Sequence, residues 1–315
     1  MTASGGSAPA TIAGVSLYGQ EPEVTLLGAF LARLEHCTVI DVGAEQGAFA
    51  EAMLRAGADE VHSLEPEPRN AAFLRKRFDG EARVLVHELA AADENRRLEL
   101  HLSSDASGAP LPFGHTVLER PDTDEIAWRQ TVTVDGRSLA SLVADGVLPR
   151  RVGILKVDTE GCDAAVIAGL GDLECDVIML EHWTDLPHSL GQCPWSLDEV
   201  VSALRPRHFS HFAFIEHRAE FVFLKWDDGD VGRGHMGNLV FLHDRVLGEL
   251  LPDVVSCASQ LATAAVAVGE MYHTAAEERL ELIAQLEREC ELRLHALEEL
   301  AAAAKAAGSP NTPSR

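Results

Sequence analysis

The sequence predicts an α/β fold built on a doubly wound, mostly parallel sheet. Three observations predict it. Short apolar runs such as TVIDVG (38–43), VHSLEP (61–66), VGILKVD (152–158) and CDVIMLE (175–181) have the length of buried parallel strands. Helical patterns lie between them at the spacing of βαβ units. A turn bearing two glycines, Asp41-Val42-Gly43-Ala44-Glu45-Gln46-Gly47, joins the first of these strands to a helix, as in Rossmann-like sheets.

The elements follow in order. Residues 24–31 have helical spacing, and Pro22 suits the first turn of that helix. Strand 38–43 leads through the glycine turn into a helix ending near Gly57, with Phe49, Met53 and Leu54 on one face. Strand 61–66 is followed by a helix that Pro68 opens and Asp79-Gly80 closes, and then by strand 82–89. Residues 91–137 break the rhythm. RLELHLSS (97–104) alternates like a half-exposed strand, a Gly/Pro-rich stretch follows, and 131–134 is extended. This reads as an insertion of antiparallel strand and loop beside the ligand cleft. The alternation resumes with a helix near 137–145, strand 152–158, a helix after Gly161 and strand 175–181, with His182 just past it. Ser196 and Glu199 form a capping-box pattern for helix 196–204. Strands 211–217, 220–226 and 238–244 close the sheet. From 254 to 305 the chain is rich in Ala, Glu, Leu and Arg and reads as a long amphipathic helical or coiled-coil extension. The expected organisation is a tail over 1–10, a domain over 11–250, the extension over 254–305 and a tail over 306–315.

Composition narrows the function. The 315 residues supply ample core. A formal net charge of −24 repels polyphosphate backbones, which argues against nucleic acid as a partner. Cys37, Cys162, Cys175, Cys193, Cys257 and Cys290 include no CxxC pair, so neither a zinc site nor a disulfide framework is expected. Residues 1–10 have neither the basic nor the apolar region of a signal peptide. No run approaches the roughly 18 continuous apolar residues of a spanning helix. The expectation is a cytoplasmic protein with no membrane role.

The glycine turn reads as a nucleoside site. Gly43 permits close approach and positive φ, and Gly47 lets the helix start near the strand. Glu65, at the end of the next strand, sits where a carboxylate can accept both hydroxyls of a ribose. A dinucleotide site needs G-x-G-x-x-G to cradle a pyrophosphate, and this turn has no G-x-G. It also carries an acid, Glu45, that would repel one. S-adenosylmethionine has no phosphate and bears a cationic sulfonium, so acids beside it are tolerable. That cofactor is preferred over NAD(P).

The segments TVIDVGAEQG, HSLEPEP, ILKVDTEGCDAAVIAG and VIMLEHW resemble the FkbM-type S-adenosylmethionine-dependent methyltransferases over about 38–185. The resemblance implies a seven-stranded methyltransferase sheet and O-methylation of hydroxyls on natural products and sugars. It implies cofactor contacts at Asp41, Gly43, Gly47 and Glu65, and adenine beside Glu88, Leu89 and Ala90. The family usually has Asn where Glu45 stands and Glu where Asp163 stands. Glu45 is then a candidate for the cofactor's ammonium or a side chain pointing to solvent, and Asp163 a helix cap or a surface charge.

Four residues are candidates for the chemistry. Parallel sheets bind ligands at their carboxyl edge, which places Asp158 nearest the reactive methyl and also in reach of the cofactor. Lys156 faces the same side and is expected to hold carboxylates. Glu181 and His182 end the adjacent strand. An alcohol must lose a proton to be methylated, and His182 is the first candidate base, with Asp158 the second. His115, in the insertion, is a further candidate for facing the cleft. No metal is expected, although Asp158, Glu181 and His182 could offer ligands to one. The acceptor is read as a small molecule. Two other classes remain: an NAD(P)-dependent oxidoreductase, and an interaction protein working through 254–305. For that segment, self-association into a homo-oligomer and packing back on the domain stand as alternatives.

Overall fold

The computed structural model describes residues 11–12, 15–16, 22–186, 191–218, 221–230 and 235–267. A short pair, β1 (Thr11–Ile12) and β2 (Val15–Ser16), precedes α1 (Pro22–Leu31). Strand and helix then alternate as β3 (Thr38–Val42), α2 (Ala48–Ala56), β4 (Glu60–Leu64), α3 (Pro68–Arg77) and β5 (Val84–His87). Next come β6 (Ala90–Ala92), β7 (Arg96–Asp105) and β8 (Ile126–Ser138), followed by α4 (Leu139–Ala144). The rhythm resumes with β9 (Arg151–Val157), α5 (Asp163–Ala168) and β10 (Glu174–Trp183). A small hairpin, β11 (Asp185–Leu186) with β12 (Gly191–Gln192), leads to α6 (Leu197–Leu204). Strands β13 (His211–Arg218), β14 (Phe221–Trp226) and β15 (Met236–Leu242) complete the sheet, and α7 (Leu247–Ala267) follows.

The main sheet has eight strands in the order β14-β13-β15-β10-β9-β3-β4-β5. Strands β10, β9, β3, β4 and β5 are parallel; β15 runs antiparallel to β10 and β13, and β14 antiparallel to β13. The resemblance implied seven strands, one fewer than the sheet has. The extra strand is β14, which folds back on β13 as an edge hairpin with Arg218 opposite Phe221.

Each face of the sheet carries its own apolar layer. On one, Leu139 and Leu142 of α4, Val166 and Ile167 of α5 and Val200 and Leu204 of α6 cover Ile40, Leu155, Ile178 and Phe241. On the other, Leu27 and Phe30 of α1, Ala50 and Met53 of α2 and Leu250 and Val254 of α7 cover Val39, Ile154, Val177 and Val240. Consecutive residues of β3 thus go to opposite layers, and both layers are apolar. That explains why the central strands read as unbroken hydrophobic runs. At about 1.5–3 kcal/mol per large buried side chain, these two layers are the main favourable term.

Three elements differ from the sequence reading in ways that reach the site. Strand 82–89 is shorter, because the Leu89 amide bonds back to the His87 carbonyl and turns the chain into β6. The insertion is a separate three-stranded sheet, β6-β8-β7, and 131–134 is only the middle of β8. Strand β10 continues through His182 and Trp183, which pair with Gly237 and Met236 of β15.

The chain divides into two compact units, Met1–Ala264 and Ala265–Arg315, later than the expected start of the extension at 254. The expectations for 268–305 and for the two tails lie outside the described residues. Helix α7 has a mean hydropathy of 1.4, so by length and composition it could cross a membrane. Core helices of soluble proteins pass the same test, and Leu250 and Val254 here belong to the apolar layer beside α1.

Side-chain hydrogen bonds hold the cleft-facing loop of the insertion. Trp128 Nε1 donates to the Gly114 carbonyl at 2.7 Å, and Asn70 Nδ2 to the Pro112 carbonyl at 2.7 Å. Trp128→Phe keeps most of the apolar ring and strands that carbonyl. It is expected to lower unfolding free energy by about 1–3 kcal/mol, read from urea denaturation.

Candidate active site

A cleft open to solvent lies at the carboxyl ends of β3, β4 and β9 under the insertion. Val42, Gly43 and Glu45 form its floor beside Leu64 and Glu65. Ala90, Ala91 and Leu100 form one wall, 112–117 forms the roof, and Asp158, Thr159, Glu160 and Cys162 close the far side. Four of these residues are acids, Glu45, Glu65, Asp158 and Glu160; among the described lining residues there is no Lys or Arg.

The glycine turn owes its glycines to the protein's own crowding. Gly43 has φ 75°, and a Cβ there would lie 1.9 Å from the Asp158 carbonyl oxygen. Gly47 has φ 83°, and a Cβ would meet Phe78 and Leu74 at 2.6 and 2.7 Å. Gly43 lines the cleft; Gly47 does not. Glu45 adopts φ 52°, a left-handed conformation that favours Asn or Gly over Glu. Its amide donates to Glu65 Oε2 at 2.7 Å, and the Glu67 amide donates to Glu65 Oε1 at 2.9 Å. Each oxygen of Glu65 keeps a further lone pair for a ligand. Burial pushes the Glu65 carboxyl up to about 7, against the pull of those two amides.

Behind the turn stands Lys156. Its Nζ donates to the Gly43 carbonyl at 2.8 Å and lies 3.2 Å from Asp41 Oδ1 and 3.4 Å from Asp158 Oδ2. Burial would lower its pKa, but the charges of Asp158 and Asp41 outweigh that and raise it. Asp41 is fully buried, and burial raises its carboxyl against the pull of Lys156. Asp41 and Lys156 therefore form the frame of the site, outside the cleft lining, whereas Asp158 lines it.

The remaining candidates divide. Of the segment expected beside adenine, Ala90 lines the cleft. Leu89 packs on the apolar layer beneath α4, and Glu88 is exposed and paired with Arg75 at 2.7 Å. His182 is within β10, not past its end. Its ring lies against Trp195 and Phe214, with centroids at 4.9 and 6.0 Å, and burial pulls its pKa down to about 4. It is outside the cleft lining, so it does not meet an acceptor there as the expected base. Glu181 is also outside it. Burial raises Glu181, and the charges of Asp158, Glu160 and Asp163 raise it further. Among the described residues no three His, Cys, Asp or Glu side chains are placed to hold a metal ion, and Asp158, Glu181 and His182 do not converge on one. Asp163 is fully buried. Thr159 Oγ1 donates to its Oδ2 at 2.8 Å and the Glu181 amide to its Oδ1 at 3.3 Å, so it links two strand ends.

The insertion lies beside the cleft as expected, and its residues 112–117 form the roof. His115 lines the cleft; its Nδ1 accepts from the Ser103 amide at 3.0 Å, and its buried Nε2 has no partner among the described residues. Glu160, which was not among the candidates, also lines it. The signal was an acid followed by glycine directly after a strand, a pattern that marks a forced turn.

A family model described as the methyltransferase FkbM domain matches residues 41–209, more than half of the chain. A search of curated proteins returns no match. Among solved structures, the chain is similar to precorrin-6Y C5,15-methyltransferase from Geobacter metallireducens, at 13% identity and a TM-score of 0.36, covering 71% of this chain and 87% of that one. A SAM-dependent methyltransferase from Aquifex aeolicus gives 12% identity and a TM-score of 0.36, covering 70% and 89%. Magnesium protoporphyrin IX methyltransferase from Synechocystis, solved with bound SAM, gives 11% and 0.38, covering 70% and 78%.

Two outcomes follow from the frame. Lys156→Met leaves Asp41 buried without its cation and is expected to cost about 3–5 kcal/mol in urea unfolding. Burial, with the charge of Asp158 adding to it, pushes Asp163 up to about 7 from an ordinary value of 3.8. The folded state then keeps a proton that the unfolded chain loses, so this contribution is present below about pH 4 and is lost as pH rises through 7. Asp163→Asn should flatten part of the fall in melting temperature between pH 4 and 8, measured by calorimetry. An unchanged slope would mean that Asp163 is ionised in the fold.

Proposed function

This chain belongs to the FkbM methyltransferase family, and on that premise we propose that it transfers the methyl group of S-adenosylmethionine to a hydroxyl of a small molecule, a sugar or a natural product. The observation that carries this reading is the charge of the cleft. Four acids and no Lys or Arg line it among the described residues, which suits a cationic nucleoside and opposes a pyrophosphate. The same observation disfavours an NAD(P)-dependent oxidoreductase.

The residues present fit the cofactor. Glu65 would hold the ribose hydroxyls, its carboxylate already oriented by the amides of Glu45 and Glu67. Leu64, Leu100 and Phe113 offer apolar surface for the adenine, beside Ala90. Glu45 and Asp158 would face its cationic end. The bound group supplies an electrophilic methyl. The protein's part is to orient the acceptor against it and keep water out, which can account for much of the barrier reduction. The roof over 112–117, fastened by Asn70 and Trp128, is the surface suited to both tasks.

Calorimetric titration with S-adenosylhomocysteine tests the cofactor half. A ribose hydroxyl donates to the carboxylate form, so affinity should rise between pH 6 and 8 as Glu65 ionises near 7. Glu65→Gln should weaken binding about 10–100-fold. NADH binding in preference to S-adenosylhomocysteine would sink the reading. Transfer of labelled methyl into a fractionated small-molecule extract, with the product's methylated atom assigned by NMR, tests the hydroxyl half.

A further inference from the structure

We propose that Glu160 is the residue that accepts the acceptor's proton, and that the insertion holds it in place for that step. This rests on the O-methylation reading above. Glu160 lines the cleft, and its Oε2 is buried with no hydrogen-bond partner among the described residues. A buried carboxylate oxygen left open in a binding cleft is costly unless a ligand's donor completes it.

Its backbone is held as if by a clamp. Glu160 is a non-glycine residue at φ 55°, a conformation that L side chains resist. Its carbonyl accepts from Thr116 Oγ1 at 3.1 Å and from Arg120 Nη2 at 2.7 Å, both from the insertion. Gly161 follows at φ 101°, where a Cβ would lie 2.8 Å from Arg120 Nη2. Two residues of the insertion therefore fix the backbone that carries this acid. Strain that is maintained by several bonds at a cleft points to a role there.

The two other candidate bases are less suited. Asp158 is already engaged by Lys156. His182 is packed among aromatic rings away from the lining. Around Glu160 stand Asp158, Asp163, Glu181, Arg120, His115 and Cys162. Burial and the charge of Asp158 push its carboxyl up to about 8, with Arg120 pulling the other way. A group with that affinity for protons is matched to general-base work near neutral pH.

In the step, the acceptor's O–H bond breaks and its proton goes to Glu160 Oε2. The oxygen's electron pair forms the new C–O bond as the C–S pair returns to sulfur. The products are the methyl ether and neutral S-adenosylhomocysteine, and the proton passes from Glu160 to water.

The test compares the full-length chain with Glu160→Gln and Glu160→Asp. The first readout needs no acceptor. A cationic sulfonium favours the carboxylate form of an acid beside it, whereas the neutral homocysteine product does not. At pH 7, S-adenosylmethionine binding should release more protons than S-adenosylhomocysteine binding, read by calorimetry in buffers of different ionisation heat. Glu160→Gln should erase most of that difference while S-adenosylhomocysteine affinity stays within about threefold. The second readout is labelled methyl transfer into the extract, expected to fall about 10²–10⁴-fold in Glu160→Gln. Glu160→Asp should recover part of it, and the rise in rate toward pH 8 should vanish from the Gln variant's residual activity. Hydroxyl methylation at equal rates by wild type and Glu160→Gln overturns the role of Glu160 alone. Label on nitrogen or carbon, or no S-adenosylhomocysteine binding by the wild type, overturns the O-methylation reading beneath it. With no acceptor labelled, equal proton release by both proteins overturns the assignment.

Discussion

The ammonium of Lys156 is the interaction on which the rest of the site depends. It is buried at the join of two parallel strands, facing Asp41 on β3 in register and Asp158 just past β9. An isolated buried charge costs several kcal/mol, and only its partners make it tolerable. Here the partners are the backbone and side chains of the ligand cleft itself. By donating to the Gly43 carbonyl, Lys156 also fixes the turn that forms the cleft floor. Position and charge of the floor are set by one cation that is not itself part of the cleft lining.

Much of the fold was legible, because its layers impose simple patterns. Unbroken apolar strands mark a sheet covered on both faces, and capping residues mark helix starts. Ser196 caps α6, its hydroxyl accepting from the Glu199 amide as expected. What was hidden depended on pairing between distant segments. Nothing local in VIMLEHW says that β10 runs on through His182, since that follows from β15 lying alongside. Strand β14, by contrast, was expected over 220–226, and only its place at the edge beside β13 depended on pairing.

The site was legible to a similar depth. Glu65 and Gly43 were found by type and position, and both line the cleft. Asp41 shares the motif and has a different task, because strand periodicity turns it toward Lys156. The insertion carries no recognisable signature, so its contribution to the roof required three dimensions. Its sheet joins no strand of the main one, and its grip on the cleft is made of single side-chain bonds from Asn70, Thr116 and Arg120.

That grip has a consequence for how the family can diversify. Two of the bonds to residue 160 end on its carbonyl oxygen, a group that every amino acid possesses. The fastening is therefore blind to the side chain it positions. The acid can be exchanged without loosening the loop, and the loop can be rebuilt around a new acceptor so long as a hydroxyl and a guanidinium remain. On the proposed reading, a change of acceptor could be accommodated in the roof without disturbing the residues placed to hold the nucleoside.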